Sequence, residues 1–170
     1  MKQPGVSRRD TLDGELYIPE GAEPPPADPN YLMSETFDGV AIDENKARLE
    51  GNWGSSTNLK PHVDDGYSYS AEAGASATFK LRVKKSGPYE LRYFWVPHEN
   101  RAKDAKIEIT DSKGTRTLTV NLSEAAHEKH PWRTLGVFEF VDVLDGKLVI
   151  RQGEQGGTLH ADCVHLVPAK

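Results

Sequence analysis

Ala77, Phe79, Leu81 and Val83 alternate strictly with Thr78, Lys80, Arg82 and Lys84. Successive side chains of an extended chain point to opposite faces, so this run makes a strand with one dry and one wet side. A helix cannot sort these residues that way. The pattern recurs along the chain. Lys85-Ser86-Gly87-Pro88 supplies a turn, and Tyr89, Leu91, Tyr93 and Trp95 then share one face of a strand over 89–96. Phe94 and Val96 occupy its other face, which predicts cover on both sides. Ala105, Ile107 and Ile109 alternate with Lys106, Glu108 and Thr110. Asp111-Ser112-Lys113-Gly114 reads as a hairpin loop with Gly114 at positive φ, and Leu118, Val120 and Leu122 mark the return strand. Further strands are expected over 135–141, 147–151 and 159–167, the first two joined by a turn at Asp145-Gly146. One helical turn is expected over 122–129, with Ser123 as its cap. Strands punctuated roughly every 8–12 residues, with no helices between them, predict an antiparallel β-sandwich rather than a parallel α/β sheet.

Residues 1–36 have another character. Pro4, Pro19, Pro24, Pro25, Pro26 and Pro29 account for six of the eleven prolines. Proline fixes φ and lacks a backbone donor, so this stretch makes neither a regular helix nor an interior strand. It is expected to be an extended, proline-rich N-terminal arm or linker, followed by one folded domain over 37–170. Leu12, Leu16, Tyr17, Ile18, Tyr31, Leu32 and Met33 could pin it to that domain, or it could hang free.

The formal net charge is −5 and no basic stripe is present. This argues against nucleic acid or an anionic membrane surface as a partner. No apolar run approaches the roughly 20 residues of a membrane-spanning helix, so no membrane insertion is expected. The start Met1-Lys2-Gln3-Pro4-Gly5 runs straight into charge and lacks the apolar stretch of a signal peptide. Cys163 is the only cysteine, which rules out an internal disulfide.

Signatures of catalysis are missing. The sequence holds no Gly-x-Ser-x-Gly elbow, no phosphate-cradling glycine loop and no His-Glu-x-x-His. Cys163 lies in a strand beside Asp162, a setting that raises a thiol pKa and makes it an inert apolar residue. His127 and His130 could share a face if 122–129 were helical, whereas His160 and Asp162 face away from His165 in a strand. Solvated histidines are the expected outcome in both places, with no metal. Were a metal bound at all, calcium would suit Asp43, Glu44, Asp64 and Asp65 better than zinc would suit the histidines.

Several pieces in fixed order carry a family resemblance. They are Ile42-Asp43, Gly51-Asn52-Trp53-Gly54-Ser55-Ser56, Gly66-Tyr67-Ser68-Tyr69, Ala77-Thr78-Phe79, Gly87-Pro88-Tyr89-Glu90-Leu91 and Asn100-Arg101-Ala102. Val120-Asn121, Trp132-Arg133-Thr134-Leu135-Gly136-Val137-Phe138 and Ala161-Asp162-Cys163-Val164 complete the series. Over about residues 39–168 the chain resembles the golvesin C-terminal-like domain, also found at the ends of xanthan lyase-type proteins. The resemblance implies a jelly-roll-like sandwich similar to bacterial carbohydrate-binding modules, appended to larger secreted or envelope proteins such as lyases, hydrolases or FAD-dependent oxidoreductases. Two positions depart from the family pattern: Leu122 stands where a Gln is usual, and Cys163 where Ala is common.

Sugar binding of the kind this resemblance implies would use flat aromatic faces and amide or guanidinium donors. Tyr67 and Tyr69, on one strand face, would join the loop residues His98, Asn100 and Arg101 around a groove. Trp53 and Trp132, beside glycine and proline, are expected to plug the core, as is Trp95. Asp162, a carboxylate inside an apolar strand, needs a partner. Arg101, with its planar fork, is the expected one, the pair clamping the loop over 96–103 to the sandwich. The function implied is a noncatalytic carbohydrate-binding accessory module. The competing readings are an assembly domain that packs on a parent enzyme without binding sugar, and, a distant third, a small enzyme.

Overall fold

A computed structural model describes residues 31–32 and 39–169 of the 170. The proline-rich stretch over 1–30 lies outside the described residues.

The chain folds as an antiparallel β-sandwich. Its first layer is a five-stranded sheet in the order β10 (Gly114–Val120), β9 (Ala105–Asp111), β12 (Gly146–Arg151), β7 (Ser76–Leu81), β3 (Arg48–Glu50). The second layer orders β11 (Trp132–Phe140), β8 (Gly87–Phe94), β14 (Cys163–Pro168) and β2 (Val40–Asp43). Between them the dry faces predicted by the alternation meet. Phe79, Leu81, Ile107, Ile109, Leu148 and Ile150 come from one side, and Leu91, Tyr93, Phe138, Phe140, Val164 and Leu166 from the other. Each such side chain taken fully out of water stabilises the fold by roughly 1.5–3 kcal/mol.

The doubly covered strand is present. Tyr93 points into this core, while its neighbour Phe94 points outward and packs with Val63 and Cys163, with Trp132 and Leu32 alongside. Leu32 belongs to β1 (Tyr31–Leu32) and Val63 to β5 (His62–Val63), a short parallel pair lying on the outer face of the second layer. The hairpin at 111–114 also forms as expected. Asp111 Oδ1 accepts from Lys113 N at 2.9 Å, and Gly114 takes φ +127°.

Two expectations are corrected. The strand expected over 159–167 is broken at Asp162. β13 (Leu159–Ala161) pairs with β6 (Tyr67–Ser70), whereas β14 leaves for the second layer. β6 also pairs with β4 (Gly54–Ser56), giving a small sheet β13-β6-β4. Residues 122–129 make no helix. Asn121 is the local acceptor instead: its Oδ1 takes Ser123 N at 2.9 Å and Ser123 Oγ at 2.5 Å, a side-chain turn that competes with helix formation. Leu122 is fully buried in the main core there.

Candidate ligand groove

The small sheet β13-β6-β4 and three loops enclose a groove. β6 presents Tyr67 and Tyr69 on one face, their ring centroids 6.4 Å apart. Loop 95–104 and loop 152–158 are tied together beside them. Thr158 N donates to Asn100 O at 3.0 Å and Ala102 N to Thr158 O at 2.8 Å. Gly157 permits this approach: at φ +94° it lies so close that a Cβ would sit 2.6 Å from Ala102 Cα. Gln152 Nε2 braces the second loop through Gly157 O at 2.6 Å and Ala71 O at 3.1 Å. The cavity measures about 580 Å³, and all five residues expected at a ligand groove, Tyr67, Tyr69, His98, Asn100 and Arg101, line it.

They differ in what they offer. Tyr69 is exposed at 38%, and the hydroxyl end of its ring lies against Gly54, where any Cβ would meet Cζ at 2.8 Å. His98 and Asn100 are exposed. Tyr67 is buried, so it is a wall and not a free stacking face. Its ring stacks on His160 with centroids 4.4 Å apart and planes 19° off parallel, and its hydroxyl accepts from Leu59 N at 3.2 Å.

Arg101 does not pair with Asp162. It is buried, donates from Nη1 to Asn100 Oδ1 at 3.1 Å and from Nη2 to His160 Nδ1 at 3.2 Å, and sits over the Tyr67 ring at 5.7 Å. A guanidinium has no acceptor, so His160 Nδ1 must be the bare nitrogen of a neutral imidazole. Burial and the adjacent Arg101 charge both push the His160 pKa well below the ordinary histidine range. Asp162 is satisfied elsewhere. Both carboxylate oxygens accept from Val63 N, at 3.1 and 3.0 Å, pinning β5 to the point where the chain changes sheets. The sequence shows that a buried carboxylate needs donors. It does not show that a backbone amide 99 positions away supplies them.

Trp53 is only partly a core plug. It packs against the main core, donates Nε1–H to Glu50 O at 2.8 Å and lines the groove. Trp132 belongs to the outer cluster, where it ends a stack of three rings. His127 and His130 lie 3.8 Å apart at 6°, and His130 and Trp132 3.7 Å apart at 10°. Rings stacked face to face aim their nitrogens sideways, not at a common ion. Trp95 is buried in the core, as expected. Asn52, Gly54, Asn58, Ser70 and Thr158 also line the groove, and none of them stands out in the sequence as a site residue. Gly54 beside Trp53 is a legible hint of a close approach, whereas Thr158 carries no signal.

Among the described residues no three His, Cys, Asp or Glu side chains are placed to hold a metal ion. The four acids named for calcium spread out in role. Asp43 is buried and accepts from Asn45 N at 3.2 Å, and Glu44 accepts from Ser68 Oγ at 2.6 Å. Burial raises the Asp43 carboxyl to about 7, with Glu44, Asp64 and Asp65 adding repulsion. Cys163 is fully buried, and desolvation beside Asp162 drives its thiol far above the usual range.

A two-sheet antiparallel sandwich with an open groove on a small third sheet defines a β-sandwich module. The chain belongs to the Golvesin C-terminal domain family, whose model matches residues 40–168. It is 25% identical to a xanthan lyase of Bacillus sp. strain GL1 over 123 residues, 69% of this chain and 13% of that protein. The Paenibacillus xanthan lyase structure superposes with a TM-score of 0.70 at 28% identity, covering 78% of this chain and 13% of that one. A family 35 carbohydrate binding module from Clostridium thermocellum shares the fold, with a TM-score of 0.53 at 14% identity over 78% of this chain and all of that one. The chain therefore spans about an eighth of the lyases' length and the whole of the module chain in the Clostridium thermocellum structure. No helix among the described residues is long and apolar enough to cross a membrane.

Proposed function

We propose that this chain is a noncatalytic carbohydrate-binding module that holds a polysaccharide segment in the groove and so directs a parent protein to it. One observation carries the reading. Tyr69 presents a ring, 38% exposed, beside Gly54 in a cavity whose other described lining is rich in amides and hydroxyls: Asn52, Asn58, Ser56, Ser70, Asn100 and Thr158. A sugar needs an apolar face to cover its C–H surface and neutral donors and acceptors for its hydroxyls. The described lining contains no Asp or Glu, so the groove offers no carboxylate pair of the kind that cleaves glycosidic bonds. Family 35 carbohydrate binding modules with the same fold support the reading, as does the 25% identity to part of a xanthan lyase. In this reading the module works where polysaccharide is found, outside the cell or in its envelope.

The test is a glycan array followed by calorimetry on each hit, with Tyr69→Ala alongside. Binding that Tyr69→Ala weakens by about tenfold or more agrees with the loss of one stacking face, worth roughly 1–2 kcal/mol. Silence across neutral and acidic polysaccharides removes the reading. A second reading, an assembly domain that packs on a parent enzyme, is favoured by three exposed apolar side chains, Val137, Val143 and Leu144, exposed by 52%, 69% and 57%. It predicts that the parent, and not a glycan, protects these residues.

A further inference from the structure

A second cavity, about 610 Å³, lies against the groove, with Asn58 and Leu59 lining both. Its described lining is rich in apolar side chains: Leu59, Pro61, Trp95, Val96, Pro97 and Ala125. The His127 and His130 rings line it too. They stack outward from Trp132, which packs on the outer cluster of Phe94 and Val63 where Leu32 also packs.

The chain's own course leads to this cavity. β1 pairs with β5 in parallel, Tyr31 opposite His62 and Leu32 opposite Val63. In a parallel pair, residues upstream in one strand run beside residues upstream in the other. The segment before Tyr31 is therefore directed alongside Pro61, Lys60, Leu59 and Asn58, all four of which line the cavity. Leu32 gives the same bearing independently, because it shares a cluster with Trp132, from which the histidine rings extend.

Backbone pairing is not what continues in that direction. Pro61 and Pro29 lack the N–H that a ladder would use. The sequence supplies Pro24-Pro25-Pro26-Ala27-Asp28-Pro29-Asn30 there. Such a run favours polyproline II, which needs no ladder hydrogen bond and presents its rings as apolar ridges. Grooves lined by aromatic side chains take such segments because little conformational freedom is left to lose. The run over 24–30 spans about 20 Å in that form, against roughly 10 Å for the width of a round cavity of this volume. Covalent attachment at Tyr31 keeps it at a high effective concentration, so modest packing suffices.

We propose that the second cavity is the seat of this chain's own arm, with the run over 24–30 packed against Leu59, Pro97, Ala125 and the His127 ring. The seated run backs Asn58 and Leu59, the wall shared with the groove. It also fixes the direction in which residues 1–23 leave the domain, which makes the arm a docked joint and not a loose tether. The proposal does not depend on what the groove binds.

The test is NMR on the whole chain, for wild type, Ala125→Trp and the triple variant Pro24→Gly, Pro25→Gly, Pro26→Gly. In wild type, proline ring protons within 24–29 should show nuclear Overhauser contacts to the Ala125 methyl or the His127 ring. The amides of Ala27, Asp28 and Asn30 should have order parameters near the rigid-backbone value of about 0.85. Ala125 is exposed, so Ala125→Trp fills the cavity without entering the core. It should abolish those contacts and lower the order parameters below about 0.6, while the amide spectrum of the sheets persists. The triple glycine variant should do the same from the arm side, and it alters no residue of the sandwich, so it decides the matter even if Ala125→Trp fails to fold. Wild-type order parameters below about 0.6 without the contacts overturn the proposal. An ordered run with contacts to another face of the domain overturns it, as do order parameters that neither variant changes. Contacts found only between differently labelled chains in a mixed sample give the cavity to a second copy and overturn it as well.

Discussion

Arg101 donates to His160 Nδ1 at 3.2 Å, and this contact, not a salt bridge to Asp162, fastens loop 95–104 to the small sheet. Both residues are buried, and the His160 ring in turn supports Tyr67 at 4.4 Å. The chain thus uses a cation on a neutral imidazole to build the back wall of its groove.

Removing Arg101 leaves His160 Nδ1 and Asn100 Oδ1 without their donor. Arg101→Ala should lower unfolding free energy by about 2–3 kcal/mol in urea denaturation, beyond the range of surface substitutions. A double-mutant cycle separates the two possible partners. Arg101→Ala with His160→Leu should couple by about 1 kcal/mol or more, whereas Arg101→Ala with Asp162→Asn should be additive within about 0.5 kcal/mol. Strong coupling to Asp162 would restore the salt bridge and displace the imidazole as the partner of Arg101.

Gly54 is fully compatible with β4 geometry, so only space demands glycine there. A Cβ would sit 2.8 Å from Tyr69 Cζ, and the ring is the mobile partner. Gly54→Ala should therefore tilt Tyr69 off its floor while the sheet persists. Stability should change by less than about 1 kcal/mol. Affinity for any glycan found on the array should fall several-fold, comparably to Tyr69→Ala. A Gly54→Ala protein with full affinity would show that Tyr69 does not act from this position.

The fold is legible in the sequence because its signal is local. Alternation over 77–83 and 105–110 assigns each residue to a face whatever the strand pairs with, and the sandwich follows from packing those faces. The groove membership of Tyr67, Tyr69, Asn100 and Arg101 is also legible, through the family pieces that hold them, and that of His98 through its place in the same loop as Asn100 and Arg101. Long-range partnering is not. Charge alone matches Arg101 to Asp162, but the donor that reaches Asp162 is the Val63 amide, which no side-chain chemistry announces. The helix expected at 122–129 does not form because Asn121 offers the backbone a competing acceptor. Tyr67 shares the Tyr69 face as expected, yet His160 from the neighbouring strand covers it.

Cys163 should behave as part of the core. It is fully buried against Phe94 and Val63, and desolvation beside Asp162 keeps the thiol protonated. Under native conditions a thiol-specific chromogenic reagent should label it at least about a hundredfold more slowly than in denaturant, since only the thiolate reacts. Labelling should track global unfolding as urea is raised. Fast native labelling would mean that the outer cluster opens independently of the sandwich. Cys163→Ala should cost about 1 kcal/mol for the small cavity it leaves.

The pH dependence of stability follows from the acids packed around β2. Burial raises the Asp43 carboxyl to about 7, with Glu44, Asp64 and Asp65 adding repulsion, and Asp162 is raised chiefly by burial, with Asp43, Glu44 and Asp64 adding to it. In the unfolded chain these groups ionise near the ordinary carboxylate pKa of about 4. Between about pH 4 and pH 7 the folded state therefore holds protons that the unfolded state has released. The contribution of these acids to stability is greatest at the acid end of that window and is lost as pH rises through the folded pKa, while neutral His160, which the unfolded chain protonates below about pH 6.5, acts in the opposite sense. The loss attributable to Asp43 should be on the order of 4 kcal/mol by about pH 8. Asp43→Asn keeps an acceptor for Asn45 N but cannot ionise. It should flatten the profile above about pH 5 and raise stability at pH 8 relative to wild type. Thermal denaturation of both proteins from about pH 4.5 to about pH 8 reads this directly. An Asp43→Asn curve parallel to that of wild type would show that Asp43 is ionised and well solvated in the fold.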